Sequence, residues 1–412
     1  MRSRPRPRVS EDPPAGGVAS AGQVLPALIA AQVAMHAAMA GQRMAAPLQA
    51  LSTGYAAWAV GVLLALFAAL PVAIALAAGR LADRHGYHRP IRLAAGLTMA
   101  GAATALAACA LPPPWQFAGL CLGAAAAGAG TNIGLIAVQR TAGLLAMNPT
   151  ERLRVFSWLG MAPALANVVG PVAAGFMIDA AGFAAAYGLL LLLPLVSLAA
   201  ARRVPAQTGR RHDAPPAARR SSWDLLAAPG MRRLLFVNWL MSASWDVHSF
   251  AVPVLGHARG FAASTIGLVL GSFTAAVTLV RFAIPLVAHR LDEIDSLRAA
   301  MLMTAAVFAI YPFAQTAPAM VGCALLLGLA LGSVQPMLMS TLHHLTPAER
   351  HGEAIAFRSM AINASSSVMP LVFGALGAAL GPGVLFWAMA AMVGGGSTAP
   401  PGLRHALAGV ER

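Results

Sequence analysis

The sequence predicts an all-α membrane protein of twelve transmembrane helices, arranged as two pseudo-symmetric halves of six helices each. Three observations lead to this class: an apolar composition, apolar runs with the length of a bilayer crossing, and a polar arginine-rich segment between two groups of six runs. Of the 412 residues, 58% are apolar and only 10% are charged, whereas soluble domains carry about 25% charged residues. The chain is therefore expected to fold in a lipid bilayer.

The apolar runs match the thickness of a bilayer. A helix needs about 20 residues to cross a hydrocarbon core about 30 Å thick. The first group of runs lies near 24–46, 55–78, 92–111, 116–139, 155–177 and 183–201. The second group lies near 234–255, 263–287, 299–314, 318–341, 355–379 and 383–398. The last run is cut short by the glycines at 394–396 and the prolines at 400–401.

A polar segment separates the two groups of runs. Residues 202–233 contain four Arg-Arg pairs and Pro215-Pro216, and they have no apolar face to bury. The predicted organisation is a disordered basic tail at 1–22, a six-helix half at 23–201, a cytoplasmic central loop at 202–233, a second six-helix half at 234–398 and a cytoplasmic tail at 399–412.

The arginines predict the orientation of the chain. With the amino terminus inside, 25 of the 28 basic residues, all of them arginines, lie in the tails, in the even-numbered connections or at the adjoining inner ends of the runs, and the exceptions are Arg43, Arg259 and Arg281. Cytoplasmic loops carry such an excess of positive charge. We therefore expect a multi-pass protein of a bacterial inner membrane with both termini in the cytoplasm.

The charged and metal-binding residues exclude several other classes. The net charge of +14 is spread between apolar runs, so we expect no binding of nucleic acid. Cys109, Cys121 and Cys323 lie inside apolar runs without metal-ligand spacing, and the histidines at 343, 344 and 351 lack a set of acids at zinc spacing. No phosphate-binding loop of an ATP-driven pump is present. We expect no metal, no cofactor and no enzymatic activity.

The connection between the second and third spans contains a recognisable motif. It reads Gly79-Arg80-Leu81-Ala82-Asp83-Arg84-His85-Gly86-Tyr87-His88-Arg89. This segment resembles the signature loop of the major facilitator superfamily, G-x-L-a-D-r-x-G-r-k-r. The matching residues are Gly79, Leu81, Asp83, Arg84, Gly86 and Arg89, whereas Tyr87 and His88 replace the usual basic pair.

The resemblance implies both a fold and an activity. In this family two six-helix halves rock around a central site near the middle of the membrane, and the loop, acting as a gating motif, locks the halves in the outward-facing state. The helix that would receive the loop is the eleventh span, which begins near Ala354. The expected partners are a small-molecule substrate, protons and the lipid bilayer, and the expected state is a monomer.

The fifth span contains a second partial match to the family. Gly170, Pro171 and Gly175 resemble the end of a motif associated with antiporters, with Ala174 where a glycine would be expected. Small residues at these positions also suit close helix packing without any further role. The basic residue of many drug antiporters is absent early in the fourth span, and the first span lacks an acid, so the drug-antiporter subfamily is not favoured.

Polar residues inside the spans are the candidates for a substrate cavity. Gln32, His36 and Arg43 fall within about 40° of one another on the first span. Asn238, Ser242, Trp245, Asp246 and Ser249 share one face of the seventh span, Asn132 and Gln139 share a face of the fourth, and Gln335 lies on the tenth. Polar side chains at this depth usually face the interior of the bundle.

Each of these residues also has a structural interpretation. A glutamine or asparagine in a span often only bonds two helices together, and Arg43 could simply anchor the end of its helix at the interface. Trp245 lies in the middle of its span, where it could stack on an aromatic or cationic substrate.

Asp246 is the candidate proton-coupling residue. Of the 14 acidic residues, it is the one that the sequence places near the middle of a span, where an Asp costs about 2.5 to 3.5 kcal/mol on insertion scales. A positive partner, water or protonation could offset that cost, and His36 and Arg43 are the candidate partners. A permanent ion pair and a role in binding a cationic substrate are the alternatives.

The residues and the resemblance together predict a secondary active transporter of a small organic solute. It would be coupled to protons and work by alternating access, and the fifth-span motif favours efflux. Proton-coupled uptake is the alternative direction, and a membrane sensor of the same fold that does not transport is the alternative class.

Overall fold

The fold is helical throughout the described part of the chain. The computed structural model describes residues 21–113, 115–145, 149–205, 226, 230–287, 292–346 and 351–404. The first helices are α1 (Ala21–Ser52), α2 (Ala57–His85), α3 (His88–Ala108), α4 (Trp115–Leu145) and α5 (Pro149–Ala201). They are followed by α6 (Met231–Ala258), α7 (Ala263–Val287), α8 (Glu293–Ile310), α9 (Ala317–Leu345), α10 (His351–Leu380) and α11 (Pro382–Gly396). A 3₁₀ turn, Tyr311–Phe313, lies between α8 and α9.

Helix α5 contains two membrane crossings. Its 53 residues are interrupted at Gly182, where φ is 82° and ψ is 176°, a conformation that glycine adopts because it has no Cβ. A straight helix of this length would extend about 80 Å, far more than a bilayer core. Residues 149–181 and 183–201 are therefore the predicted fifth and sixth spans, and the predicted all-α, twelve-span fold class is confirmed.

Nine of the described helices, α5 among them, are long and apolar enough to cross a membrane. The other two are α6, which carries Asp246 and two arginines, and α11, which has 15 residues. The chain from α11 to Arg404 nevertheless runs alongside α8. Trp387 Nε1 donates to the carbonyl of Ala309, 3.2 Å away at one end, and beyond α11 Arg404 pairs with Asp292 and Asp295 at the other end, at 3.1 and 2.6 Å. Helix α11 and the residues up to Arg404 therefore together follow α8 from its carboxyl end to its amino end.

The predicted domain limits differ slightly from the helix ends. Helix α1 begins at Ala21 and α6 at Met231, so the seventh span starts before the predicted residue 234. Residues 401–404 of the predicted tail are helical. Residues 1–20, most of the predicted central loop (206–225 and 227–229) and 405–412 lie outside the described residues.

The two ends of the bundle are distinguished by their connections. We call the end that carries Gly54, Gly182, Gly260 and Gly381 the outer end, and the end that carries Gly86 and Gly230 the inner end. These names follow the orientation predicted from the arginines. Helices alternate in direction between the two ends, so each half contains three helices that run outward and three that run inward.

The two halves touch at the outer end. A Cβ at Gly61 of α2 would overlap the carbonyl oxygen of Pro370 in α10. A Cβ at Gly175 of α5 would lie 2.5 Å from the carbonyl oxygen of Ala263 in α7. Real Cβ atoms do not approach backbone atoms this closely, so the glycines allow backbone to meet backbone. The closest described approaches between the halves lie at this end, and the central cavity lies on their inner side, which is an inward-facing arrangement.

Asp179 adds a polar contact to this closure. Its carboxylate accepts the backbone N–H groups of Ala263 and Ser264, at 2.9 and 2.8 Å. These are the first two residues of α7. A carboxylate is favourable there because the first N–H groups of a helix lack intrahelical partners and carry partial positive charge. An acid of the first half therefore caps a helix of the second half.

We expect Asp179→Ala to open the outer end more often. Loss of a cap of this kind costs about 0.5 to 2 kcal/mol, which shifts the ratio of closed to open outer ends by about two- to thirtyfold. The measurement is the labelling rate, from outside, of a cysteine placed at cavity residue 362 after Cys109, Cys121 and Cys323 are replaced by alanine.

Asp295→Ala is the matched control, since that acid bonds within one half at the inner end. Equal labelling rates in the Asp179→Ala protein and in the unchanged background would show that the cap does not hold the outer end closed.

Candidate functional site

A central cavity of about 280 Å³ lies between the halves. Its walls come from α5 of the first half and from α6, α7, α9 and α10 of the second. The lining residues are Pro163, Ala164, Asn167, Asn238, Met241, Ser242, Trp245, Thr274, Val277, Arg281, Leu331, Val334, Gln335, Leu338, Arg358, Ile362 and Ser366. The wall is apolar along most of its area, with a small number of polar groups, as in most small-molecule sites.

A recess of about 50 Å³ continues from this cavity toward the outer closure. Arg43 of α1 and Ser249 of α6 line it, and Asn167, Trp245 and Thr274 line both spaces. None of the described residues that line either space is acidic. The first half therefore contributes a positive charge to the deepest part of the site.

Asp246 lies directly behind the cavity wall. It is 4% exposed, and its carboxylate accepts the hydroxyls of Ser365 (3.2 Å) and Ser366 (3.2 and 3.3 Å) of α10. Ser366 also lines the cavity. Arg43 is close enough for a Coulombic attraction to Asp246, although no direct ion pair is formed between them among the described contacts. The acid is thus one layer from the cavity and faces a charge of the other half.

Trp245 forms the junction between the cavity and the recess. Its ring packs edge-on against Phe273 of α7, with ring centroids 4.6 Å apart and planes at 70°. Tryptophan in such a position offers a large, rigid aromatic surface to a ligand. The predicted mid-span position of Trp245 therefore coincides with the middle of the site.

The structure brings some of the predicted cavity residues together and leaves others apart. Asn238, Ser242, Trp245 and Gln335 line the main cavity, and Arg43 lines the recess. Of the other first-span residues, His36 faces Asn167, whose Nδ2 lies 3.4 Å from its Nε2, and Gln32 is buried with no hydrogen-bond partner for its amide among the described residues. Neither of them is among the described residues that line the cavity.

The predicted fourth-span residues lie away from the cavity wall. Asn132 Nδ2 donates to the carbonyl of Pro71, 3.3 Å away in α2. This contact bonds two helices of the first half together, which was the alternative role considered for Asn132. Gln139 is exposed.

The sequence as a whole matches one family. The sequence model of the Major Facilitator Superfamily matches residues 28–232 and 234–400, which together are most of the chain. The chain belongs to the Major Facilitator Superfamily. The resemblance stated from the signature loop is therefore confirmed.

Solved structures of Major Facilitator Superfamily proteins share the fold. A peptide transporter of the POT family in complex with sulfate has a TM-score of 0.75 at 13% identity, over 94% of this chain and 95% of that chain. A bacterial homologue of the iron transporter ferroportin, inward-facing, has a TM-score of 0.69 at 15% identity, over 94% and 100%. A bacterial homologue of the human lysosomal transporter Spinster, inward-facing and occupied, has a TM-score of 0.67 at 12% identity, over 94% and 96%.

The signature loop of this superfamily member forms a tight turn at the inner end. Gly86 has φ 67°, which allows α2 to end and α3 to begin within two residues. Asp83 pairs with Arg140 of α4, at 2.8 Å from Nε to Oδ1. Tyr87 is fully buried. Gly79, Leu81, Arg84 and Arg89 occupy the inner ends of α2 and α3 without a hydrogen bond to the second half among the described contacts.

None of the described contacts joins this loop to the eleventh span, although such a contact was predicted. Asp83 bonds within its own half, and α10 meets α2 near Gly61, at the other end of both helices. This difference has a simple reason: the loop was predicted to lock the outward-facing state, and the structure is closed at the outer end instead.

We expect Asp83→Asn to insert normally and to transport at about a tenth of the normal rate or less. An uncharged amide loses the charge-assisted bond to Arg140 and the attraction to a helix N-terminus in the alternate state, each of which is worth about 1 kcal/mol. Initial transport rates at matched membrane expression provide the measurement. Asp295→Asn serves as the control, and a normal rate for Asp83→Asn would remove this gating role.

The antiporter-like motif lies at the outer closure. A Cβ at Gly170 would overlap the carbonyl oxygen of Ala37 in α1, and Gly175 meets Ala263 of α7. The carbonyl of Pro171 faces Gly267 of α7, where a Cβ would be 2.5 Å away. Close packing thus accounts for all three motif residues, and two of these contacts join the halves.

Sequence reasoning missed several residues of the site. Ser365 and Ser366 were hidden in an apolar run, although three consecutive serines in a span were a visible polar signal. Arg281 was noted only as an exception to the charge distribution, and Arg358 was counted among the inner orientation charges. Asp179 was passed over, because the helix that it caps is 84 residues away in the sequence and no local pattern indicates that contact.

Proposed function

We propose that this superfamily member is a secondary active transporter of a small organic solute, coupled to protons through Asp246. The observation that carries the proposal is the position of Asp246, buried behind a cavity wall between the halves, held by two serine hydroxyls and opposite Arg43. A buried carboxylate with incomplete pairing is costly, so protonation is an available alternative state.

A proton on Asp246 would alter the attraction between the halves. The ionised carboxylate attracts Arg43 across the interface of α1 and α6, which favours the closed outer end. Protonation removes this attraction, so the outer end can open with less cost. Protonation of Asp246 then shifts the equilibrium between the two conformations, and the conformation in turn changes the affinity of Asp246 for the proton.

The cavity supplies the second element of the proposed cycle. Substrate enters from the inner side in the inward-facing arrangement, and the halves then rock so that the cavity opens on the outer side. The antiporter-like residues at Gly170, Pro171 and Gly175 favour efflux with protons entering. We propose the inner membrane of a bacterium as the location, with the arginine-rich inner end in the cytoplasm.

The test is transport by the purified protein in proteoliposomes. A thermal-shift screen against sugars, organic acids, amino acids and cationic drugs first identifies a compound that binds, because a ligand of the native state raises its stability. The labelled compound is then offered to vesicles with an imposed pH gradient. Accumulation in vesicles with an acidic interior supports antiport, and accumulation only with an alkaline interior would assign symport. Absence of any flux of a bound compound would identify a sensor and overturn the proposal.

A further inference from the structure

Two arginines of the central cavity have no acidic partner among the described residues. Arg281 lies in α7 and Arg358 in α10, and both side chains line the main cavity. Arg281 Nη2 donates to Gln335 Oε1 at 2.9 Å, and the Nε atoms of both arginines are buried with no hydrogen-bond partner among the described residues. The two guanidinium groups also repel each other, since they are within Coulombic range.

Other arginines of the same chain have an acid or backbone carbonyls as partners. Arg404 binds Asp292 and Asp295, and Arg140 binds Asp83 through Nε, although its Nη1 is buried with no hydrogen-bond partner among the described residues. Arg259 donates to two backbone carbonyls, of Ala314 at 2.6 Å and Pro312 at 2.7 Å. What distinguishes Arg281 and Arg358 from the salt-bridged arginines is therefore the absence of an acidic partner among the described residues. With Arg43 in the recess, three arginines surround the site, and the neighbouring acid, Asp246, already accepts two serine hydroxyls.

A bound anion would remove the cost of these charges. Buried arginines are expensive unless an opposite charge and hydrogen bonds compensate them. The guanidinium group presents a planar fork of donors that matches a carboxylate in two parallel hydrogen bonds. Much of the remaining wall is apolar, because Met241, Val277, Leu331 and Val334 line it beside Trp245.

We propose that the cavity binds a small amphipathic organic acid in its anionic form. The carboxylate lies between Arg281 and Arg358, Gln335 holds Arg281 toward it, and the apolar body of the ligand packs on Trp245 and Val277. This assignment rests on the proposed function, whose substrate class it names.

The two polar parts of the site then have separate tasks. The substrate charge is held near the inner mouth, by residues of α7 and α10, whereas the coupling acid Asp246 and Arg43 lie deeper, toward the outer closure. An anion and a proton therefore have different binding groups. Each can be removed by substitution without removing the other.

The test uses matched pairs of acids and their neutral amides. Hexanoate and hexanamide, benzoate and benzamide, and 2-naphthoate and 2-naphthamide are compared for binding to the detergent-purified full chain by thermal shift and by equilibrium dialysis. We expect at least one acid to bind about tenfold more tightly than its amide, since a charge-assisted pair adds about 1.5 to 3 kcal/mol. Arg281→Gln and Arg358→Gln should each abolish this preference, and Arg281→Lys should restore part of it.

Arg298→Gln is the matched control, because Arg298 is exposed on α8 of the same half and should leave the preference unchanged. Size-exclusion profiles identify any variant that fails to fold. If Arg281→Gln fails to fold, the preference for the acid is compared between Arg281→Lys and the unchanged protein. The assignment is wrong if no acid of the three exceeds its amide, or if the preference persists in both glutamine variants. Equilibrium binding needs no transport, so the two proposals can fail separately. Binding of an acid without any flux would overturn the proposed function and leave the ligand class intact. Proton-coupled flux of a solute that is not an acid would uphold the proposed function and overturn the ligand class.

Discussion

Asp246→Asn is expected to abolish accumulation driven by a pH gradient while leaving downhill exchange of the substrate. A gradient of one pH unit stores about 1.4 kcal/mol per proton, which supports about tenfold accumulation if one proton moves per cycle. Asparagine keeps one acceptor oxygen, and in the Oδ2 position this oxygen can accept the hydroxyls of both Ser365 and Ser366, at 3.2 and 3.3 Å, so the packing of α6 on α10 persists. It cannot exchange a proton, and accumulation should fall to the passive level.

The control for this experiment is Asp295→Asn, which removes an acid at the inner end and leaves the site untouched. Arg43→Gln is a useful companion, because it removes the charge that faces Asp246 from the first half. Normal pH-dependent accumulation by Asp246→Asn would eliminate the coupling role. Loss of both accumulation and exchange at normal expression would instead indicate that Asp246 serves in substrate binding or in packing.

Gly175→Leu should have the second large effect, a loss of the closed outer end. A Cβ at this position would lie 2.5 Å from the carbonyl oxygen of Ala263 and 2.9 Å from Ser264 Cα. Both are backbone atoms at the start of α7, so they cannot move aside as a flexible side chain would. Overpacking of this kind costs about 1 to 3 kcal/mol, which shifts a two-state equilibrium by about 5- to 150-fold.

The measurement is external labelling of a cysteine at position 362, as for Asp179→Ala, together with the transport rate. We expect rapid external labelling and a transport rate below about a tenth of normal, since the inward-facing arrangement is populated less by this factor. Gly160→Leu is the matched control, because Gly160 lies on the same helix and a Cβ there would meet no described heavy atom within 4 Å. Slow external labelling of Gly175→Leu, equal to that of Gly160→Leu, would contradict the role of this contact.

The sequence predicted the spans because their length is set by the bilayer rather than by tertiary contacts. The break at Gly182 fell between the predicted fifth and sixth runs, and the short twelfth run forms helix α11. Hydropathy detects only the length of a helix that lies in the hydrocarbon core, however. Helices α2 and α4 continue to His85 and Leu145, beyond the apolar runs that predicted them.

The cavity was less accessible to sequence reasoning. Helical spacing placed Gln32, His36 and Arg43 on one stripe, but spacing gives neither depth nor the position of the facing helix, and only Arg43 reaches the recess. The same limitation hid Arg358, which looked like an orientation charge because it lies near a helix start. Approaches such as that of Gly175 to Ala263 depend on how the halves meet, which no local pattern contains.

The most direct test of proton-coupled transport is to measure proton movement that is driven by the substrate alone. Proteoliposomes with a pH-sensitive dye inside receive an inward gradient of the identified substrate at equal pH on both sides, with the membrane potential clamped. We expect a change in internal pH that follows the substrate flux, with protons leaving as substrate enters if the protein is an antiporter, and no change with Asp246→Asn. Substrate flux at the normal rate without any proton movement in the wild-type protein would contradict proton coupling.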